Sequence, residues 1–298
     1  MTREAALAAA RQHFDSGAFV HDLARRVAIR TESQNPASAP ELRRYLADEI
    51  TPSLAALGFR SSLHDNPVQP FGPLLIADRF EADGLPTVLM YGHGDALIAT
   101  DGPRLSRERA TVFLGSRGVA NFELTLHLRD GSHHSGNWGG LLRNSGTVLA
   151  NAIPPTAKAT MHMRFVVGTP VDALQQALQS HLAAHGFGDI QVSAPEVMNA
   201  TRLDPDNAWV RFALASIERS TGRPPVLLPN LGGSLPNDVF ADILGLPTVW
   251  VPHSYAACQQ HAPDEHLLAP VARQALQIMA GLFWDLGEQA GALPRISH

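Results

Sequence analysis

The sequence predicts an α/β fold in which one domain is interrupted by a smaller α+β insert. In the first third of the chain, helical periodicity is mixed with short apolar runs bounded by Pro and Gly, which favours helices alternating with buried strands. Near residue 122 the pattern becomes a strict alternation of apolar and polar residues, typical of an antiparallel sheet with one solvated face. From residue 206 the helical pattern resumes. We therefore expect an α/β domain over 1–117 and 200–298, with the insert at 118–199.

The elements of the amino-terminal part follow from periodicity and from the positions of Pro and Gly. Apolar residues at three- and four-residue spacing indicate amphipathic helices, and Pro40 in an early turn and Gly58 at the end bracket the third of them. The run between Pro86 and Gly92 predicts a buried strand. We expect helices over 2–14, 18–29 and 39–57, and strands near 59–64, 73–78, 87–91 and 111–114.

The insert and the carboxy-terminal part are predicted in the same way. Three strands and two helices in the insert would form an antiparallel sheet covered by helices. The expected insert elements are strands 122–128, 159–167 and 190–197 and helices 145–152 and 170–185. After them we expect a helix beginning after residue 206, strands 225–229 and 246–251, and a closing helix 270–287.

Composition excludes several classes of protein. The 298 residues are 45% hydrophobic and 17% charged, which is typical of a soluble globular protein of one large or two ordinary domains. A net charge of −5 without a Lys/Arg-rich run argues against binding to nucleic acid. Cys258 is the only cysteine, so no internal disulfide can form. Without a signal-type start or a run of 18 apolar residues, we expect a cytoplasmic protein with no membrane segment.

Two polar clusters follow predicted strands and predict a metal site. Residues two apart on an extended chain point to one side, so His93 and Asp95 would leave the run 87–91 together. The carboxyl ends of strands are where open α/β sheets bind ligands, and a carboxylate that orients a His ligand is a recurrent arrangement. The second cluster, 249–266, holds three histidines and two carboxylates. Each histidine alone reads as a surface residue, but the two clusters share the ligand chemistry of zinc.

Other catalytic classes find no support in the sequence. There is no Gly-x-Ser-x-Gly elbow for a Ser/His/Asp hydrolase, and no Gly-rich loop with the spacing and Lys of a phosphate-binding loop. Cys258 stands close to His261, but we interpret it as a passive neighbour and not as a nucleophile.

A series of short motifs occurs in order along the chain. The motifs are Gly92-His93-Gly94-Asp95, Asp101-Gly102-Pro103, Gly115-Ser116-Arg117-Gly118, His133-His134-Ser135-Gly136-Asn137-Trp138-Gly139-Gly140, Asn151-Ala152-Ile153-Pro154, Gly232-Gly233-Ser234 and Gln260-His261-Ala262-Pro263-Asp264-Glu265. From about Thr31 to Leu286 the chain thereby resembles the metallopeptidase family M-twenty, which contains the di-zinc aminoacylases, carboxypeptidase G and carnosine dipeptidases. The His-Ser-Gly loop leans toward the dipeptidase branch.

The resemblance implies the metal ligands and the architecture. It implies that His93 and Asp101 bind one zinc, that His261 binds the other, and that Asp95 orients His93. Mn or Co could replace Zn in such a site. It also implies a central, mostly parallel sheet in the α/β domain, and a ferredoxin-like insert that acts as a lid and joins two subunits into a homodimer. His134 would reach the partner subunit's active site and stabilise an oxyanion.

The resemblance further implies a substrate and its contacts. Dipeptides or N-acyl amino acids would be cleaved at the amide bond. Asn151 and Arg164 would hold the terminal carboxylate, Arg164 through a bidentate fork, and Gly232, Gly233 and Ser234 would line the pocket with backbone N–H groups.

The chain departs from the family between Asp95 and Asp101. Only Ala96 to Thr100 intervenes, where the family has a long segment with a metal-bridging aspartate and a Glu-Glu pair, and no Glu-Glu occurs anywhere in the chain. A crossover between parallel strands needs about a dozen residues. The runs 87–91 and 97–99 must therefore form a tight reversal, or one of them is not a strand. A second contraction falls near 150–154.

Two hypotheses follow from this departure. The first is a metal-dependent hydrolase of the M-twenty type. The second is a catalytically inactive remnant that lacks the bridging Asp and the general-base Glu but keeps a dimerising lid. A missing general base costs about 10²–10⁴ in rate. Metal content and an assay on dipeptides would distinguish the two.

Overall fold

The computed structural model describes residues 1–33, 35–67, 72–92, 104, 106–128, 130, 133–134, 152–153, 156–258, 264–289 and 291–294. The chain divides into two compact units. Unit 1 comprises Met1–Val112, Ala208–Val226 and Val251–His298, and unit 2 comprises Phe113–Asn207 and Leu227–Trp250. The ends of the predicted insert, 118 and 199, both lie inside unit 2.

The helices of unit 1 include α1 (Arg3–Asp15), α2 (Ala18–Val27), α6 (Ala208–Thr221) and α7 (Ala269–Gln289), which confirms the helices predicted in these regions. The side chain of Thr2 starts α1 by accepting a hydrogen bond from the N–H of Ala5 at 3.2 Å. Both α1 and α6 pack on α7. The buried apolar residues of these helices are Leu7, Val210, Ala213, Ile217, Val271, Ala272, Ala275 and Ile278.

The predicted helix 39–57 is present but varies in its winding. It runs from a 3₁₀ turn (Pro36–Ser38) through α3 (Ala39–Arg44) and a π-helical segment (Tyr45–Ile50) to α4 (Thr51–Ala56). Glu49 in the π-helical segment is buried and accepts hydrogen bonds from the guanidinium of Arg25 on α2, with an Nε–O distance of 2.8 Å. This pair lowers the carboxyl pKa of Glu49 and ties α2 to the segment.

A two-stranded antiparallel hairpin follows, formed by β1 (Arg60–His64) and β2 (Leu74–Asp78). Arg60 lies opposite Asp78 and His64 opposite Leu74. Exposed and half-buried residues alternate along both strands, as the pleat of a sheet with one covered face requires. The strands predicted near 59–64 and 73–78 are therefore confirmed.

The buried strand predicted over 87–91 is wrong. The described residues 86–92 form no strand, and Leu89 and Met90 are 57% and 65% exposed. An apolar run becomes a buried strand only where other strands flank it, and the connection after Asp95 is too short to bring a parallel neighbour alongside. The sequence allowed either a tight reversal between 87–91 and 97–99 or a run that is not a strand. The second outcome applies to 87–91. The run 97–99 lies outside the described residues.

A parallel pair connects the middle and the late part of the chain. It consists of β3 (Thr111–Phe113) and β9 (Val226–Leu228), which both begin in unit 1 and end in unit 2. The N–H of Val226 donates to the carbonyl of Ala110 at 2.8 Å, and the N–H of Leu114 donates to that of Leu228 at 3.1 Å, so the strands run in the same direction. The predicted strand 246–251 is reduced to an antiparallel bridge between Trp250 and Phe113.

Unit 2 contains an antiparallel sheet in the order β7–β4–β8, with β4 (Gly118–His127), β7 (Thr156–Phe165) and β8 (Ile190–Met198). One face is apolar and packs on α5 (Leu174–Ala184). Its core residues are Ala120, Phe122, Phe165 and Val192, with Leu174, Leu178 and Leu182 against them. The other face carries polar side chains. On it, the Asn121 side chain forms hydrogen bonds with His162 at 2.6 Å and with Glu196 at 3.2 Å. The three predicted strands and the helix 170–185 are confirmed.

Two short strands, β5 (His133–His134) and β6 (Ala152–Ile153), pair antiparallel. The predicted helix 145–152 falls almost entirely outside the described residues, and its last residue, Ala152, lies in β6. The predicted α/β class with antiparallel strands in the middle of the chain is confirmed. Among the helices that the structure describes, none combines the length and the apolar character needed to cross a membrane.

Candidate metal centre and its flanking segments

Half of the ten residues predicted for the site lie outside the part of the chain that the structure describes. These are His93, Asp95, Asp101, Asn151 and His261. His134 is described in its backbone, where it pairs with Ala152. The remaining predicted residues, Arg164, Gly232, Gly233 and Ser234, are described. Within the described residues, no three His, Cys, Asp or Glu side chains lie close enough together to hold a metal ion. The predicted ligand set therefore stays a prediction.

The chain segments next to two predicted ligands are paired. Arg104, three residues after Asp101, forms a parallel bridge with Tyr255, six residues before His261. The N–H of Arg104 donates to the carbonyl of Ser254 at 3.0 Å, and the Arg107 guanidinium lies 5.1 Å from the centre of the Tyr255 ring. Three and six extended residues span at most about 11 and 21 Å. The described residues Arg104 and Tyr255, which flank Asp101 and His261 in the sequence, are therefore neighbours in unit 1.

The described residues on either side of His261 are hydrogen-bonded to each other. The N–H of His266 donates to the carbonyl of Cys258 at 3.1 Å. Asp264 has φ +64°, a left-handed conformation that is uncommon for a residue other than Gly. The carbonyl of Asp264 lies 2.8 Å from Nδ1 of His266. Backbone strain of this kind is found where surrounding contacts fix a loop, often at a functional site.

The segment before His93 forms no regular secondary structure in the described part of the chain. Residues 86–92 are irregular, and the side chains from Val88 to Tyr91 are exposed. The structure thus brings together the flanks of Asp101 and His261. It does not place the flank of His93 on a strand end, where the sequence predicted it.

The loop Gly232-Gly233-Ser234 is held against the motif Gly115-Ser116-Arg117 in unit 2. The N–H of Leu231 donates to the Gly115 carbonyl at 2.9 Å, and the N–H of Arg117 donates to the Gly233 carbonyl at 3.2 Å. The N–H groups of Gly232, Gly233 and Ser234 donate to no other described residue. Ser234 is buried, and its Oγ has no hydrogen-bond partner in the described part of the chain. A buried unpaired hydroxyl is costly, and a bound ligand would relieve that cost.

Arg164 lies on β7 opposite Val119 of β4. Its side chain is exposed, as is that of His162, whereas Phe165 is buried in the core under α5. Arg164 is therefore available to a ligand on the solvated side of β7, while its role in binding a carboxylate remains a prediction.

Two described residues of unit 1 have unusual electrostatics that the sequence did not reveal. Arg104 is only 1% exposed; its Nε donates to the Pro252 carbonyl at 3.2 Å, and its Nη1 donates to Oε1 of Gln274 at 2.6 Å. Burial lowers the pKa of Arg104 to about 10. Burial also lowers the pKa of His253 to about 4, with a further contribution from the charge of Arg104. At neutral pH, Arg104 is therefore charged and His253 is neutral.

No sequence signal would have singled out Arg104. Its acceptors are a backbone carbonyl and an amide that lie 148 and 170 residues away along the chain. A charged residue beside a polar turn reads as exposed.

No protein-family model matches the sequence, and no curated protein matches it. Solved structures do match. The dipeptidase Dug1p from Saccharomyces cerevisiae superposes with a TM-score of 0.81 at 14% identity, over 97% of this chain and 99% of that chain. Human carnosine dipeptidase 1 gives a TM-score of 0.80 at 15% identity, over the same shares. The M-twenty family metallo-carboxypeptidase Sso-CP2 from Sulfolobus solfataricus gives 0.50 at 16% identity, over 62% of each chain.

These likenesses show that the chain has the fold of the M-twenty dipeptidases. The resemblance drawn from the sequence motifs is thereby confirmed at the level of the fold.

Proposed function

We propose that the chain is a metal-dependent hydrolase of the M-twenty peptidase type, which cleaves the amide bond of dipeptides or N-acyl amino acids. The observation that carries the proposal is the pairing of Arg104 with Ser254 and Tyr255, because it holds the flanks of Asp101 and His261 together. The fold shared with dipeptidases over 97% of the chain supports the same class of reaction.

The residues proposed to hold the metal are His93, Asp101 and His261. Two imidazoles and a carboxylate have the donor chemistry that zinc prefers, and Mn or Co could also occupy such a set. When bound, zinc supplies a Lewis acid and a water of lowered pKa. Asp95 is proposed to accept a hydrogen bond from the ring of His93 and so to fix its orientation.

The remaining proposed roles concern the substrate. The unpaired Oγ of Ser234 and the N–H groups of Gly232 and Gly233 would donate to the substrate's carbonyl or carboxylate oxygens. Asn151 and Arg164 would hold its terminal carboxylate. His134 is proposed to donate to the oxyanion in the partner subunit of a homodimer.

A non-catalytic remnant of the same fold is the second candidate. Two observations favour it: the chain contains no Glu-Glu pair, and the segment before His93 is exposed and irregular. Such a protein would keep the sheet and helix of unit 2 as an interaction module, without turnover.

Metal content separates the candidates. The purified chain, dialysed with Zn²⁺ and then against metal-free buffer, is expected to retain one to two zinc ions per chain by mass spectrometry. His261→Ala should lower that content by about one ion, while His21→Ala, which alters an exposed histidine on α2, should not. Hydrolysis of dipeptides and N-acetyl amino acids with added Zn²⁺ or Mn²⁺ then measures activity. A metal content near zero without hydrolysis would reject the hydrolase in favour of the remnant.

A further inference from the structure

Arg104 is a buried cation without a counter-charge among the described residues. Its guanidinium bonds to a backbone carbonyl and to a neutral amide, and no described carboxylate pairs with it. Other buried charges of unit 1 are paired: Asp285 with Arg3 and Arg219, and Glu49 with Arg25. Burial of an unpaired charge is costly. Arg104 therefore differs from the other buried charges in lacking an anion.

Two neighbouring polar atoms are also unpaired. Nη2 of Arg104 and Nδ1 of His253 are both inaccessible to solvent, and neither has a hydrogen-bond partner among the residues that the structure describes. Arg104 donates to the carbonyls of Pro252 and Ser254, the two residues that flank His253, so it lies beside His253. Native proteins leave few buried polar atoms unpaired, and two adjacent ones beside an unpaired charge indicate that a group is missing.

We propose that Arg104 and His253 form a binding site for a single carboxylate. One oxygen would accept a hydrogen bond from Nη2 of Arg104, and the other would accept one from Nδ1–H of the neutral His253. The single negative charge would balance the single positive charge of Arg104. A dianion such as phosphate would leave one charge in excess and would need more donors than these two atoms offer.

The carboxylate has two possible sources. It is a free small carboxylate, or it is a second carboxylate on the substrate, since the terminal one is already assigned to Asn151 and Arg164. The second source rests on the proposed function and would make acidic N-acyl amino acids the preferred substrates. Because neither atom is reached by solvent, binding from either source requires local opening and should be slower than diffusion.

Thermal unfolding of the metal-depleted protein tests the site without any need for turnover. Sodium acetate, N-acetylaspartate and N-acetylasparagine are each titrated at constant ionic strength. A carboxylate that binds only the folded state raises Tm, by about 3–6 °C at a hundred times its Kd. If acetate is the only one of the three compounds that raises Tm, the site binds a free small carboxylate. If the titrations of Tm give N-acetylaspartate an affinity at least tenfold higher than that of N-acetylasparagine, the site binds a side-chain carboxylate.

The variants locate the effect. Arg104→Gln and His253→Leu should each weaken the affinity at least tenfold. His253→Asn should restore most of it, because the Asn amide can donate from near the position of Nδ1. Arg109→Gln is the matched control: this exposed guanidinium donates to the Pro224 carbonyl at 3.0 Å, and its loss should leave the response unchanged.

If Arg104→Gln fails to fold, the two His253 variants decide the matter, since Nδ1 of His253 makes no bond that the fold would lose. An equal response to chloride and acetate would overturn the assignment of a carboxylate. A carboxylate response that survives in His253→Leu, or no response in the unaltered protein, would overturn the site. A protein that binds carboxylate but neither zinc nor peptide would retain this inference and lose the proposed function.

Discussion

At the scale of single residues, Asp285 is the buried carboxylate with the most partners in unit 1. Its side chain is 1% exposed and accepts from Nε of Arg3 at 2.8 Å, from Nη2 of Arg219 at 2.8 Å and from Oγ of Ser216 at 2.5 Å. Burial alone would raise the pKa of Asp285, but these hydrogen bonds lower it below the ordinary value. The residue thereby links α1, α6 and α7 through one carboxylate.

The substitution Asp285→Asn should lower the free energy of unfolding by about 2–4 kcal/mol at pH 7, because it leaves two guanidinium groups without their anion. The folded-state pKa is depressed, so the stabilisation is present above the unfolded pKa of about 3.9 and is lost as the pH falls through the folded value. Urea denaturation at pH 7, 5 and 3 should give equal differences between the variant and the unaltered protein at the first two values, and a smaller difference at pH 3.

Asp22→Asn is the control for this prediction. Asp22 also bonds to an arginine, with Nη1 of Arg25 at 2.9 Å, but it is on the surface, where such a pair contributes about 0–1 kcal/mol. Equal losses in the two variants would show that burial of Asp285 adds nothing.

At the scale of secondary structure, two glycines on α7 occupy opposite environments. A Cβ on Gly281 would clash with Oγ of Ser220 on α6 and would lie 3.0 Å from Nη2 of Arg3 on α1. A Cβ on Gly287 would meet nothing within 4 Å. Gly281 therefore permits close packing of three helices, while Gly287 only weakens the helix.

Gly281→Ala should destabilise the protein by about 1–3 kcal/mol, because the added methyl displaces the Ser220 hydroxyl and breaks its 2.8 Å bond to Arg3. Gly287→Ala should stabilise it by about 0.5–1 kcal/mol, since Ala favours the helix. Both values come from urea denaturation. Stabilisation by both substitutions would mean that α6 and α7 are further apart than the structure shows.

A helix or strand could be predicted from the sequence where its pattern of polar and apolar residues also shows which of its faces is buried. Alternation of polar and apolar residues in β4, β7 and β8 specifies both a strand and its covered face, and the periodicity of α1, α6 and α7 specifies a helix and its buried side. The run 87–91 specifies neither, because it is apolar throughout. Whether 87–91 becomes a strand depends on adjacent strands, and the shortened connection after Asp95 excludes a parallel one. The residues of the run itself do not contain that information.

The candidate site could be predicted in part for the same reason. His, Asp and Gly motifs mark a metal site by residue type, and they led to the fold that the comparisons confirm. Arg104, His253 and Gln274 could not be found in this way. Their relation is created when distant segments meet, and each residue type alone is ordinary on a protein surface.

At the scale of the whole molecule, apolar side chains are exposed on unit 1. Val88, Leu89, Met90 and Tyr91 are 45–65% exposed and are consecutive in sequence, and Phe80 nearby in sequence is 69% exposed. Contiguous exposed apolar residues on a soluble protein mark either an interaction surface or a tendency to aggregate.

Replacement of Leu89 and Met90 by Lys should therefore reduce self-association, because the side chains already contact water and the added charges repel other copies. Light scattering against protein concentration should fall, while the free energy of unfolding should change by less than about 0.5 kcal/mol. Val27→Lys, at a residue of α2 that is 65% exposed and outside this run, should leave scattering unchanged. A loss of several kcal/mol in the double variant would show that the run is buried in the folded protein.

The burial of Cys258 has a practical consequence. Cys258 is the only thiol in the chain and is 1% exposed, and its carbonyl accepts a hydrogen bond from the N–H of His266. An alkylating reagent can reach this sulfur only when the structure around it opens locally. The rate of alkylation therefore reports how often unit 1 opens around Cys258, without a probe having to be introduced.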